Sequence, residues 1–335
     1  MWNPLPPWLG GRKGTHPVAP ADPACPQLDE ADIALTLQPW STVVIDRPSP
    51  EVEPSPPAPE GAYHSDVECG GWSTPYVTLR VASVRGLSHR YYGKPRQDAA
   101  QAMAGDAVVL AVADGVSGAE SSAWGARRVC EAAIGDALRQ LRAGEAAVDW
   151  PTATSAAAAI LHQDAAMWLG TGEADQAQTE RLFATTLVAG TVRHTGEGIS
   201  VSLCRVGDSG AWILTPATGH FQPVFGPKSD PGNALVDGTV RALPRLPQTL
   251  EQAAFSLGPG EVLLLGTDGF GDPLGEGDGP VGALFAKQLA TPPTPLWLAH
   301  LLDFSRETFD DDRTLLAVWP RAAAVGTEEG VHSGR

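Results

Sequence analysis

Acidic residues border several apolar segments of this chain, where their carboxylates could meet. The segment AVVLAVA, residues 107–113, runs directly into Asp114, and EVLLLGT runs directly into Asp268. Burying an unpaired carboxylate costs several kcal/mol, so an acid at the end of a buried strand is expected to have a partner. Hard divalent cations such as Mg²⁺ and Mn²⁺ prefer oxygen ligands. These acids therefore predict a metal centre at the ends of strands.

The same arrangement recurs along the chain. Four further aspartates lie at or near the ends of strand-like segments: Asp98, Asp208, Asp311 and Asp312. A single Asp-Gly pair is typical of a turn, whereas acids at the ends of several independent strands indicate a shared site. Gly115 and Gly269 follow two of the acids and would let the backbone approach closely or turn sharply.

The elements that must position these acids follow from the hydrophobic pattern. Strands are predicted over residues 76–84, 107–113, 181–193, 198–208, 211–216, 261–269 and 314–320. Helices are predicted over residues 118–144 and 151–170, and within 279–308. Consecutive strands favour antiparallel pairing, so the pattern indicates an α+β fold rather than a doubly wound parallel sheet. Strands that lie side by side would bring their acidic ends to one edge.

Charge and composition argue against several classes of function. Lys and Arg number 23 against 39 Asp and Glu, for a net charge of −16. This balance disfavours nucleic acid or an anionic membrane as the main partner. The cysteines are scattered without a CxxC pair, which argues against a zinc site and a disulfide scaffold. No apolar stretch has the length of a signal-peptide core or a membrane span, so a cytoplasmic location is expected.

The beginning of the chain differs from the rest. Prolines are concentrated in residues 1–60, which excludes helices and central strands there. We expect a proline-rich, partly disordered extension over residues 1–76, a folded domain over 77–320 and a disordered tail over 321–335. Within the extension, DIALTLQPWSTVVID, residues 32–46, is interpreted as a short strand or docking segment.

Six motifs, in this order and spacing, resemble those of the metal-dependent (type 2C) protein phosphatase family. They are RQDA (96–99), VADGVSG (112–118), ATTL (184–187), RVGDSGAWIL (205–214), LLLGTDGFGD (263–272) and DDRT (311–314). The stretch GLSHRYYGKPRQDA, residues 86–99, is similar to the bacterial branch of that family. The resemblance spans about residues 77–320 and leaves the extension outside.

The resemblance implies a β-sandwich of two antiparallel sheets, flanked by helices on both faces, with two Mn²⁺ or Mg²⁺ ions at one end. Asp114 would bridge the two ions, and the carbonyl of Gly115 would bind one of them. Asp268 and Asp311 would bind the other ion. Asp98 would act through waters bound to the metals.

The resemblance also implies the chemistry. A water activated by the two ions would attack the phosphorus of phosphoserine or phosphothreonine in a protein substrate, with no phosphorylated enzyme intermediate. Asp208 and Asp272 match the acids of a third, weaker metal site in the family. A serine/threonine protein kinase would be the natural opposing enzyme.

Two positions depart from the family pattern. Val116 stands where many eukaryotic members have a histidine proposed as the general acid, so that role has no residue here. The stretch that carries the family's phosphate-binding arginine contains an apparent insertion. Its basic residues compete for the role: His89, Arg90, Lys94 and Arg96. Arg96 and His89 are the favoured candidates.

Two other functions fit part of the sequence. GVSGA, residues 115–119, is one residue from a nucleophile elbow, so Ser117 could serve a serine hydrolase with His220 or His300. That interpretation leaves the aspartates unexplained. A non-catalytic pseudophosphatase that binds phosphoproteins or a kinase is the other alternative, although Asp114, Asp268 and Asp311 are all present.

Overall fold

The computed structural model describes residues 41–56, 65–196, 198–226 and 241–321. Its strands form two sheets in which every neighbouring pair is antiparallel. The six-stranded sheet has the order β1 (Val67–Ser73), β2 (Val77–Val84), β11 (Arg313–Pro320), β10 (Val262–Gly266), β7 (Gly210–Thr215) and β8 (His220–Pro223). The five-stranded sheet has the order β3 (Ala99–Ala104), β4 (Val108–Ala113), β5 (Leu187–Thr195), β6 (Gly198–Val206) and β9 (Glu251–Leu257).

Helices cover the outer faces of both sheets. They are α1 (Leu87–Tyr91), α2 (Ser122–Arg142), α3 (Trp150–Leu169), α4 (Gln176–Phe183), α5 (Asp268–Leu274), α6 (Pro280–Gln288) and α7 (Pro295–Leu302). The helices α2, α3 and α4 share a core with the five-stranded sheet, and α5, α6 and α7 share one with the six-stranded sheet. The predicted α+β sandwich with helices on both faces is confirmed. None of the described helices has the length and hydropathy needed to cross a membrane.

Strand β4 is continuously apolar because its side chains alternate between two cores. One set packs between the two sheets: Val108, Leu110 and Val112. The other set packs toward α2 and α3: Val109, Ala111 and Ala113. Burial on both faces fixes the register of the strand, so its last residue delivers Asp114 to the edge of the sandwich.

Residues 42–56, which we call the strap, pack along the segment that leads to β11. The amide of Ile45 donates to the carbonyl of Ser305 at 3.0 Å. The hydroxyl of Ser49 donates to Asp310 Oδ1 at 2.9 Å. The prolines of the strap are compatible with this position because an extended segment outside the sheets needs few backbone donors.

The predicted domain boundary at residue 77 falls inside a hairpin. Strand β1 lies before it and pairs with β2 along its whole length. Both β1 and the strap therefore belong to the packed structure, and residues 43–45 of the segment 32–46 contact Ser305. Residues 1–40 and 57–64 of the predicted extension and residues 322–335 of the predicted tail lie outside the described residues.

The strand predicted over residues 181–193 is wrong at its beginning. Its first three residues end α4, and β5 starts only at Leu187. The physical reason is a capping box, in which Asp175 accepts from the amide of Gln178 and the Gln178 side chain accepts from the amide of Asp175. The two long helices predicted over 118–144 and 151–170 are confirmed as α2 and α3.

Candidate metal centre

Asp114 is held at the end of β4 by the neighbouring strand β5. Its amide donates to Thr186 Oγ1 at 2.9 Å, and its carbonyl accepts from the Thr186 amide at 2.8 Å. The Thr185 hydroxyl also donates to that carbonyl, at 2.8 Å. Thr186 Oγ1 is in turn 2.7 Å from the Oγ of Ser209, which lies between β6 and β7. The backbone of Asp114 is therefore fixed on both sides.

Asp98 is buried at the start of β3, where two threonines of the other sheet bind its carboxylate. Thr267 and Thr314 each donate a hydroxyl proton to Asp98 Oδ2 at 2.8 Å. Thr267 directly precedes Asp268, and Thr314 lies three residues after Asp311. These hydrogen bonds fix the orientation of the Asp98 carboxylate and link it to the strand ends that carry two further acids.

Four aspartates meet at this end of the sandwich, and we call them the four-aspartate cluster: Asp98, Asp114, Asp268 and Asp311. Burial raises the pKa of Asp114 well above its usual value, and the charges of Asp98 and Asp268 raise it further. Asp114 and Asp268 are also within hydrogen-bonding distance of each other. Burial, followed by the charge of Asp312, likewise raises the pKa of Asp98. Such mutual repulsion is relieved when a cation binds between the carboxylates.

The glycines after two of these acids are required by close packing. A Cβ at Gly115 would lie 2.7 Å from the Cβ of Ser122, at the start of α2. A Cβ at Gly269 would collide with the carbonyl of Asp312. Both positions need glycine because other segments approach the backbone there, as the sequence predicts.

The two adjacent aspartates Asp311 and Asp312 differ in their surroundings. Asp312 is buried, and its carboxylate accepts from the amides of Gly86 at 2.7 Å and Gln97 at 2.6 Å. His89 Nδ1 lies 2.9 Å from Asp312 Oδ1. Asp311 is exposed, at the rim of the four-aspartate cluster. Asp312 therefore anchors the loop around α1, and Asp311 is the acid available to a ligand.

The basic residues that could bind a phosphate lie at different places in the structure. Single ligand atoms of His89, Asp311 and Asp312 all lie within 4.8 Å of one another, which puts His89 beside the four-aspartate cluster. Burial opposes the charged form of His89, but the hydrogen bond and charge of Asp312 outweigh it and raise its pKa. Arg96 is instead engaged at β1, where its Nη2 is 2.8 Å from Glu68 Oε1.

Arg90 and Lys94 have other positions. Arg90 Nη2 is 3.0 Å from Asp303 Oδ1, and Lys94 is exposed. Among the four basic residues, this geometry favours His89.

Asp208 and Asp272 line one cavity of about 470 Å³. Asp272 lies on α5 four residues after Asp268, which is about one helical turn. The cavity is therefore next to the four-aspartate cluster, and both acids lie on its wall.

The donor set fits hard divalent cations. Its members are carboxylates and, at Gly115, a backbone carbonyl, all oxygen ligands. Ser117 is exposed on the loop between β4 and α2, whereas His220 lies in β8 and His300 in α7, both in the layers of the six-stranded sheet. This arrangement gives the serine hydrolase no support.

Sequence reasoning missed the threonines and the serine that support the acids. Thr185, Thr186, Thr267, Thr314 and Ser209 are all buried and all bond to the acids or to one another. The signal that could have found them is their position: small hydroxyl residues directly beside the acids, at the ends of apolar strands.

Comparison with known proteins identifies the family of this arrangement. A family model described as protein phosphatase 2C matches residues 85–303. Among solved structures, RsbX in complex with magnesium is 13% identical, with 76% of this chain and 100% of that chain covered and a TM-score of 0.49. PppA, a regulatory component of the type VI secretion system in Pseudomonas aeruginosa, is 20% identical, with 75% and 100% covered and a TM-score of 0.46.

A third similar structure is the catalytic domain of the serine/threonine protein phosphatase PstP in complex with two manganese ions. It is 18% identical, with 74% of this chain and 99% of that chain covered and a TM-score of 0.46. No curated protein matches the chain.

Proposed function

Because this chain belongs to the protein phosphatase 2C family, we propose that it removes phosphate from phosphoserine and phosphothreonine side chains of proteins with the help of divalent metal ions. The observation that carries the proposal is the four-aspartate cluster, in which acids from separate strand ends raise one another's pKa. A group of carboxylates this close is stable in its charged form when cations bind between them. We further propose that the reaction takes place in the cytoplasm and is opposed by a serine/threonine kinase.

The proposed roles follow from position. Asp114, the Gly115 carbonyl, Asp268 and Asp311 would hold the ions. When bound, Mn²⁺ or Mg²⁺ would activate a water and neutralise the phosphate oxygens. Asp98, held by Thr267 and Thr314, would orient solvent in the site.

Two further assignments concern the remaining acids and the leaving group. We assign Asp208 and Asp272 to a third ion, since both line the adjacent cavity. Val116 carries no proton to donate, so the leaving alkoxide would be protonated by solvent within the site.

His89 is our candidate for the residue that binds the substrate phosphate. Changing His89 to glutamine removes a group that can carry positive charge beside the cluster, and we expect KM for para-nitrophenyl phosphate to rise about tenfold. Changing Arg96 to glutamine removes the pair with Glu68 at β1 and is expected to leave KM near its original value. Steady-state kinetics in saturating Mn²⁺ would measure both. A larger effect of the Arg96 change would reverse the assignment.

The activity itself is tested by hydrolysis of para-nitrophenyl phosphate and of a phosphothreonine peptide in Mn²⁺, in Mg²⁺ and in EDTA. We expect turnover with either metal and none in EDTA, because EDTA removes the ions that would activate the attacking water. The Ser117→Ala variant is the matched control for the serine hydrolase and should keep full activity. Absence of turnover in every condition, with Mn²⁺ binding intact by calorimetry, would favour the pseudophosphatase.

A further inference from the structure

The cavity beside the four-aspartate cluster has features that metal binding does not explain. We call it the Trp212 cavity. Its walls include Arg205, Asp208, Trp212, Phe221, Asp272 and Glu276. We propose that the Trp212 cavity binds a basic residue of the phosphoprotein substrate, next to the phosphorylated side chain. The inference rests on the proposed function.

One wall of the cavity is aromatic and fixed in place. The Trp212 ring packs edge-on against Phe270, with 5.6 Å between ring centroids and an interplanar angle of 79°. Phe270 is itself fully buried, so Trp212 has little freedom to turn away. A preformed aromatic wall suits the aliphatic stem of a long side chain and the face of a guanidinium group.

Arg205 also lines the cavity and is buried. Arg205 is 7% exposed, and its Nη2 donates to Glu251 Oε2 at 2.6 Å and to the carbonyl of Gly226 at 3.0 Å. Its Nε–H is buried and has no hydrogen-bond acceptor among the residues that the structure describes. The Arg205 guanidinium carbon also lies 4.9 Å from the centroid of the Phe225 ring, so Arg205 is a fixed part of the wall that other residues of the protein hold in place.

The charges of the cavity select the side chain of that peptide. The positive charge of Arg205 is matched by Glu251 at 2.6 Å. With Asp208 and Asp272 assigned to a third ion, the carboxylate left for a ligand is that of Glu276. A basic side chain would pair with the Glu276 carboxylate and pack against the Trp212 ring, whereas an acidic side chain would be repelled by Glu276.

Proximity explains why such a residue would lie near the phosphate. Asp272 is about one helical turn from Asp268, so the cavity and the cluster are adjacent parts of one surface. A short extended peptide can therefore place its phosphorylated residue at the cluster and a nearby residue in the Trp212 cavity. The four-aspartate cluster and the Trp212 cavity together would discriminate among phosphoproteins by the sequence around the phosphorylated residue.

The test uses fluorescently labelled peptides that carry a non-hydrolysable phosphonate in place of the phosphothreonine and in which a single arginine moves through the flanking positions, measured by anisotropy with the full chain in Mn²⁺. At one position we expect the arginine to tighten binding about tenfold over alanine. The variants Glu276→Gln and Trp212→Ala should each remove most of that gain. Asp278→Asn is the matched control, because Asp278 is an exposed acid of the same loop outside the cavity walls, and it should keep the gain.

Two results would overturn the proposal: affinity that is independent of arginine at every position, or a gain that survives in both cavity variants. Failure of the proposed function is seen separately, as absence of turnover of the corresponding phosphothreonine peptides. Because anisotropy measures binding and needs no turnover, the cavity is tested in either case.

Discussion

Changing Asp268 to asparagine is expected to lower the metal-dependent hydrolysis of para-nitrophenyl phosphate by at least about a hundredfold. Changes in residues that only support metal ligands already cost up to about this much, and Asp268 is assigned as a ligand itself. The fold should survive, because Asp268 is one of several carboxylates that raise the pKa of Asp114 by repulsion. Removing one charge relieves that repulsion.

The same variant gives a second readout that does not depend on catalysis. In EDTA, the melting temperature of Asp268→Asn should equal or exceed that of the original protein, since the variant has one fewer carboxylate to repel Asp114. In Mn²⁺, the original protein should gain stability by ligand binding and the variant should gain much less. Thermal unfolding followed by circular dichroism measures both. Undiminished turnover, or an equal stabilisation by Mn²⁺, would contradict the assignment of Asp268 as a ligand.

Changing Arg313 to methionine is expected to cost about 3 kcal/mol of unfolding free energy. Arg313 is buried, and its Nη1 donates to the carbonyls of Leu302 at 3.0 Å and Phe304 at 2.7 Å. Its Nη2 donates to the carbonyl of Phe309, and the guanidinium carbon lies 4.0 Å from the centroid of the Phe304 ring. Methionine fills part of the volume but leaves these carbonyls without donors.

Urea denaturation measures the loss, and Arg47→Met is its matched control. The Arg47 side chain is 85% exposed and forms only a 3.9 Å ion pair with Glu307, so its replacement should change stability very little. Because the segment held by Arg313 ends at Asp311, the Arg313 variant should also need more Mn²⁺ for half-maximal activity. Equal unfolding free energies of the two variants would show that the hydrogen bonds from Arg313 to these carbonyls do not stabilise the fold.

The central strands could be predicted from the sequence, and the edge strands could not. Strands β4, β10 and β11 contain apolar runs because both of their faces are buried. The strands that no pattern predicted lie at the four sheet edges: β1, β3, β8 and β9. An edge strand has one partner and exposes much of its surface, so its sequence carries a weak signal.

The candidate site was predictable where an acid ends a central strand. Asp114 follows β4 directly and Asp268 comes two residues after the end of β10, and the structure brings the two acids into contact. The sequence could not separate the roles of Asp311 and Asp312, because both precede β11. Only the amides of Gly86 and Gln97, which are far away in the chain, distinguish the buried member of the pair.

Asp98 belongs to the beginning of the five-stranded sheet, yet its carboxylate is bonded to threonines at the ends of β10 and β11 in the six-stranded sheet. Asp98 therefore links the two sheets at this end of the sandwich. Motions that separate the two sheets at this end must first break these hydrogen bonds. The amides at this end are therefore expected to exchange slowly as long as the geometry of the site is intact. The contact between the two sheets at this end holds the acids close to one another, and separation of the sheets there would move the acids apart.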